Sequence, residues 1–351
     1  MKKEVPVSIS WDQDAVIILD QSKLPTETEY IRVETPELMH ECIRTLTIRG
    51  AGALSIGGAY GVYLGIQKSK ADTISALQQE VEEVADYMAT ARPTAVKLFV
   101  MIDKIRKVSR ETQVATVSEL KAEILEKCHE IRQENIDACK KIGEYGITLL
   151  ENGMTVLTHC NAGSYATVER GSALAPFYLA KEKGMDIRVF ADETRPLLQG
   201  SRLTAHELQE AGVDVTLICD NMAAYCMQQG MIDAVIVSSD RIAANGDLVN
   251  KIGTYNVAIA AKHHKIPFYM ASTFASVDFS IATGKEIPIE ERDSKEITHG
   301  FGKQTAPDNV KTYNPAFDVT PNELITAMIF EKGILYPNPN YQEALLKMKE
   351  I

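Results

Sequence analysis

Two short apolar runs end in groups that can move protons. Val156-Leu157-Thr158-His159-Cys160 reaches a thiol followed by Asn161-Ala162-Gly163, and Ala234-Val235-Ile236-Val237-Ser238-Ser239-Asp240 reaches a carboxyl group followed by Arg241. Open parallel sheets bind ligands outside the carboxyl ends of their strands, so Cys160 and Asp240 are the catalytic candidates, as base or nucleophile and as general acid. Small residues after Cys160 let a ligand approach the backbone, and a helix starting there would lower the thiol pKa through its N-terminal amides. Burial of Asp240 would raise its pKa toward general-acid use. The opposing readings are a buried structural thiol at Cys160 and, at Asp240, a helix cap or an ion pair with Arg241. Local context leaves both open.

Three further segments place a cation beside glycine-rich backbone or a helix start: Arg49-Gly50-Ala51-Gly52, Ala91-Arg92-Pro93-Thr94 and Asn250-Lys251-Ile252-Gly253-Thr254. Amide donors and a side-chain charge that converge on one anion are how proteins hold phosphate. Each segment alone reads equally well as a cap or loop. No GxGxxG occurs, which leaves a dinucleotide without support. Asp192-Glu193-Thr194-Arg195-Pro196, with Gln199-Gly200-Ser201-Arg202, follows a strand and is densely polar. It either positions a sugar hydroxyl or holds a Glu193–Arg195 ion pair. The seven histidines lack metal-ligand spacing, and His159 points to the strand face opposite Cys160, which disfavours a Cys/His nucleophilic pair.

The elements that must carry these residues follow from length and periodicity. A chain of 351 residues suggests two domains. Residues 8–33 alternate in short runs that fit a small antiparallel sheet, and helical spacing then dominates to about residue 150, over 76–88, 95–108 and 118–149. From residue 155 onward strands alternate with helices, at 155–158, 187–190, 215–218, 234–237 and 268–271, the pattern of βαβ units in a doubly wound Rossmann-like parallel sheet. A last helix is expected over 321–332, with proline at its first position. The expectation is therefore an α/β protein: a smaller, mainly helical N-terminal domain with a short antiparallel sheet (1–117), a long connecting helix (118–150) and a catalytic domain (151–351).

A net charge of −11 argues against a nucleic-acid surface and requires any anionic substrate to meet a local basic pocket. Six cysteines without CxxC spacing read as reduced thiols of a cytoplasmic protein. No leading apolar segment and no run near 18 apolar residues is present, so neither secretion nor a membrane span is expected.

The order of longer motifs adds a resemblance. RGAGAL at Arg49, ARPTAV at Ala91, THCNAG at Thr158, ADETRPLLQGSRLTA at Ala191, DNMA at Asp220, DRIAANGD at Asp240, NKIGTY at Asn250, EIPIEER at Glu286 and YNPAFDVTP at Tyr313 together resemble the methylthioribose-1-phosphate isomerase family over nearly the whole chain. The resemblance implies an aldose–ketose isomerase of methionine salvage, converting 5-methylthioribose 1-phosphate to 5-methylthioribulose 1-phosphate without metal or organic cofactor, on a fold shared with regulatory subunits of translation initiation factor 2B. It implies Cys160 and Asp240 as the active-site pair, and Arg49, Gly50, Ala51, Arg92, Gln199, Asn250 and Lys251 as substrate contacts. A homodimer is expected, as for similar proteins. The chain departs from the family pattern at Gly52, Leu54, Ser55, Lys97 and Ser238-Ser239. These departures keep a 5-deoxyribose 1-phosphate isomerase in view, then a ribose 1,5-bisphosphate isomerase. A non-enzymatic regulatory subunit is the reading from another class, and it gives no reason to keep Cys160, Asp240 and the phosphate contacts together.

Overall fold

A computed structural model describes residues 6–92, 95–337 and 340–350, which form two compact units. One holds the described residues up to Cys139 together with Gly163–Gly171, and the other holds Lys140–Ala162 and the described residues from Ser172 onward. This division differs from bounds at 117 and 150, and the long helix explains why. Leu120, Ile124, Cys128 and Ile131 repeat every three or four residues and are buried in the N-terminal core, so most of that helix belongs there.

In the N-terminal unit, β1 (Ile9–Asp12), β2 (Ala15–Leu19) and β3 (Tyr30–Val33) make an antiparallel sheet in that order, with Ile9 opposite Ile18 and Val16 opposite Val33. Five helices follow: α1 (Pro36–Arg44), α2 (Ala51–Gln67), α3 (Ile74–Ala89), α4 (Val96–Glu111) and α5 (Val117–Gly146). Helix α2 is apolar on every side and buried almost throughout, the signature of a central helix.

The second unit is built on β4 (Thr155–Thr158), α6 (Ala175–Glu182), β5 (Arg188–Asp192), α7 (Ala205–Glu210), β6 (Asp214–Ile218), α8 (Ala223–Gln228), β7 (Ala234–Val237), β8 (Arg241–Ala243), β9 (Leu248–Lys251), α9 (Thr254–His264) and β10 (Phe268–Ala271). It continues through β11 (Val277–Asp278), α10 (Lys295–Thr298), β12 (His299–Gly300), β13 (Lys303–Gln304), β14 (Phe317–Thr320), β15 (Ala327–Phe330), β16 (Gly333–Leu335) and α11 (Tyr341–Lys349). Seven strands form the main sheet in the order β16-β15-β10-β7-β4-β5-β6, parallel except for β16. The chain leaves β4 outward through β5 and β6, then returns to the other flank of β4 as β7. The strand order therefore reverses between β4 and β7.

The helix expected over 321–332 is not formed: a 3-10 turn at Asn322–Leu324 leads into β15 and then β16. All four side chains of β15 are buried. A strand buried on both faces is a continuous apolar run, which periodicity does not separate from a buried helix. A second sheet, β11-β8-β9-β14, was not anticipated either, because its strands are only two to four residues long. No helix among the described residues is long and apolar enough to cross a membrane.

Candidate active site

β4 and β7 are parallel neighbours, with Val156 opposite Ala234 and Leu157 opposite Val235. Their carboxyl ends therefore open on one edge of the sheet, and Cys160 and Asp240 follow those ends by two and three residues. Both stand at the reversal of strand order, where doubly wound sheets form a ligand crevice.

Cys160 has φ +67°, a left-handed conformation that costs a residue with a β-carbon about 1–2 kcal/mol. Two hydroxyl groups hold it there. The Cys160 N–H donates to Thr194 Oγ1 at 2.8 Å, and Thr204 Oγ1 donates to the Cys160 carbonyl at 2.6 Å. Thr194 is itself left-handed, at φ +65°. Its N–H and that of Arg195 donate to the two oxygens of Asp220, each at 2.6 Å, and its hydroxyl donates to the Asp192 carbonyl at 3.1 Å. The Asn161 amide donates to Thr204 Oγ1 and to Glu207, a fully buried carboxyl that also takes the Tyr178 hydroxyl at 2.7 Å. No α-helix opens directly after Cys160. A 3-10 turn at Ser164–Ala166 comes first and α6 starts only at Ala175, so the expected helix N-terminus is not at the thiol.

His159 is buried with both ring nitrogens engaged, Nδ1 with Asp192 Oδ2 and Nε2 with the Ile252 carbonyl, each at 2.9 Å. A carbonyl only accepts, so Nε2 carries a proton. Burial pulls the imidazole down, but the Asp192 hydrogen bond and charge and the Ile252 carbonyl outweigh it and hold the group above the ordinary histidine value. Burial in turn pushes the Asp192 carboxyl up against the pull of His159. His159, Asp192 and Asp220 bring ligand-type atoms within 4.8 Å of one another. The Asp220 oxygens already face the Thr194 and Arg195 amides, and the trio is a hydrogen-bond knot in which Asp192 Oδ1 is the unsatisfied atom.

Asp240 is exposed, although Ala234–Val237 before it is wholly buried, so the burial expected of it is not found. Its N–H donates to the Val249 carbonyl at 2.9 Å, which ties it to β9 next to Asn250. Arg241 Nε faces Asp278 at 3.8 Å. Asn250 is buried and donates to Thr254 Oγ1 at 3.0 Å, while Lys251 Nζ donates to the Ala316 carbonyl at 2.8 Å and lies 4.5 Å above the Phe317 ring. Gly253 has φ +103°, and a β-carbon there would stand 2.8 Å from the His159 ring, so only glycine fits where this loop packs on His159. Two amides at the start of α9 face a carboxylate: Asp318 Oδ2 accepts from Gly253 at 2.7 Å and from Tyr255 at 3.2 Å. Burial pushes the Asp318 carboxyl up against the pull of those amides.

Gln199 is buried, its Oε1 lacks a hydrogen-bond partner, and it opens the π-helical turn Gly200–Thr204. The Arg195 guanidinium reaches the carbonyls of Pro196 at 3.0 Å and of Glu296 and Ile297 at 3.4 Å.

Arg49, Gly50, Ala51 and Arg92 belong to the N-terminal unit. Gly50 precedes α2 at φ +86°, with Ala166 Cα 2.4 Å from where its β-carbon would be. Arg49 and Arg92 are half-buried. Pro93 and Thr94, from the second anion segment, lie outside the described residues. Of the departures, Leu54 and Ser55 are buried in α2, and the Ser55 hydroxyl bonds back to the Ala51 and Gly52 carbonyls. They act on the first turn of α2 rather than on an open surface.

Sequence reasoning missed Thr194, Thr204 and Asp220 as supports of Cys160 and gave His159 no role. The signals for them were the dense polar run after β5, in the motif ADETRPLLQGSRLTA that holds Thr194 and Thr204, and the motif DNMA that opens at Asp220 after β6.

The model of the initiation factor 2 subunit family matches residues 47–337. A 5-deoxyribose 1-phosphate isomerase of Bacillus cereus is 51% identical over 95% of this chain and 96% of its own, and a methylthioribose-1-phosphate isomerase of Geobacillus thermodenitrificans is 48% identical over 99% and 97%. Among solved structures, a 5-methylthioribose 1-phosphate isomerase of Pyrococcus horikoshii superposes with a TM-score of 0.94 at 38% identity, covering 100% of this chain and 98% of that one. A structure from A. fulgidus described as translation initiation factor eIF-2B, subunit delta, gives 0.88 at 45%, covering 97% and 99%.

Proposed function

The chain belongs to the initiation factor 2 subunit family, and on that premise we propose that it is an aldose–ketose isomerase acting on 5-methylthioribose 1-phosphate, with Asp240 as the acid of ring opening and Cys160 as base or transition-state stabiliser. The observation that carries this reading is the pair of strand ends: a cysteine whose backbone is held by two hydroxyls and an exposed aspartate follow the two strands between which the strand order reverses. A sugar phosphorylated on its anomeric oxygen does not open by ordinary mutarotation. Protonation of the ring oxygen by Asp240 opens it, and hydrogen then moves from C2 to C1, as a proton taken from C2 and returned to C1 by Cys160 through an enediol, or as a hydride within the substrate with Cys160 stabilising the transition state; in both routes the C2 hydroxyl proton passes to the Asp240 carboxylate that ring opening leaves. Arg49, Gly50, Ala51, Arg92, Gln199, Asn250 and Lys251 are the substrate contacts of this reading.

The second reading differs only at C5. 5-Deoxyribose 1-phosphate has hydrogen where the other sugar has methylthio, undergoes the same reaction, and is the named substrate of the relative at 51% identity. Turnover of both sugars, side by side, separates the two. The same proposal includes a homodimer in the cytoplasm. β6 is an edge strand, and it and the residues that follow expose Leu217, Met222, Tyr225 and Met231, an apolar edge that a second copy would cover. A sedimenting mass of one chain would remove the dimer.

A further inference from the structure

The pairing of β4 stops before Cys160. The ladder to β5 ends at Thr158 opposite Ala191. Beyond it, side-chain hydroxyls replace the neighbouring backbone as partners of the Cys160 amide and carbonyl. Each hydroxyl has one proton, and the network fixes where each proton points. Thr194 gives its proton to the Asp192 carbonyl and so presents a lone pair to the Cys160 N–H. Thr204 accepts from Asn161, which leaves its own proton directed at the Cys160 carbonyl. Both threonines are fully buried. Thr194 is anchored from outside by Asp220, and Thr204 by its place at the end of the π-helical turn.

We propose that Thr194 and Thr204 are positioning residues that clamp Cys160 in its left-handed turn and so set the direction in which its thiol leaves β4. The clamp rests on the isomerase reading for its consequence in turnover and stands on its own for its effect on the thiol. Valine keeps the shape of threonine and removes the hydroxyl, whereas serine keeps the hydroxyl.

The test compares Thr194→Val, Thr204→Val, Thr194→Ser and Thr204→Ser with the wild type in steady-state turnover of both sugars. It also measures the rate at which iodoacetamide alkylates Cys160, followed by peptide mass spectrometry. Misplacing a reacting group by about 1 Å costs roughly 10²-fold, so each valine variant should lose about that factor in kcat with KM within about threefold, and its Cys160 alkylation rate should change. The serine variants should stay near wild type in both readouts. Folded valine variants with wild-type kcat and alkylation rate overturn the proposal, as do serine variants that fall as far as the valine ones. A wild type inactive on both sugars removes the isomerase reading, and the alkylation rates still decide the clamp. If the valine variants do not fold, Asp220→Asn weakens the anchor of Thr194: a shifted alkylation rate supports the clamp and an unchanged one overturns it.

Discussion

Cys160 and Asp240 reach the same sheet edge in opposite states, one half-buried and held by two hydroxyls, the other exposed with its backbone tied to β9. General acid–base groups typically contribute ~10²–10⁴-fold, so Cys160→Ser and Asp240→Asn should each lower kcat by about that much while circular dichroism and Tm stay near wild type. Loss of folding in either variant would mark its residue as structural instead. His159 makes a prediction about pH. The folded His159–Asp192 pair keeps a proton that a free histidine releases near pH 6.5, so over that range the folded state binds more protons than the unfolded one. Its contribution to stability is thus complete below about pH 6.5 and is lost as pH rises through the raised folded value. Denaturant titrations from pH 6 to 9 should show falling stability, with a flatter profile in His159→Asn. Rising stability over that interval would contradict the pairing. The placement of Cys160 and Asp240 just past strand ends was legible because an apolar run that stops at a polar group is a local pattern. The clamp was not, because the partners of His159 and Cys160 lie 33 to 93 residues away in sequence.

At the scale of elements, the short strands of the parallel sheet could be read from their β-branched runs, and β4, β7 and β10 have the bounds expected. β15 could not be read that way, since Ala327-Met328-Ile329-Phe330 is apolar at every position and its strand character comes from pairing with β10. The helix expected after Cys160 failed for a related reason: small residues permit a helix but do not require one, and here the chain turns toward Gly163–Gly171, which joins the other unit. Phe330 tests the strand assignment. It is fully buried, with its ring 5.3 Å from that of Phe274 in an edge contact. Phe330→Ala should cost about 3–5 kcal/mol in chemical denaturation, as for a large side chain removed from a core. A cost below about 1 kcal/mol would fit the surface of a terminal helix and not a buried strand.

For the whole molecule, a charge of −11 means that a sugar phosphate is attracted only by local cations, and Arg49 and Arg92 are the arginines proposed for that role. Hydrogen bonds to charged groups are worth about 1.5–3 kcal/mol, so Arg49→Ala and Arg92→Ala should each lower kcat/KM by roughly 10- to 100-fold if these side chains hold the phosphate. Unchanged kcat/KM in either variant would remove that residue from the substrate contacts. The most direct measurement is ketose formation by the purified chain from 5-methylthioribose 1-phosphate and from 5-deoxyribose 1-phosphate, with Cys160→Ser and Asp240→Asn run beside it. The account predicts turnover of at least one sugar by the wild type and its collapse in both variants. A folded wild type that converts neither sugar, or turnover that survives both substitutions, would contradict it.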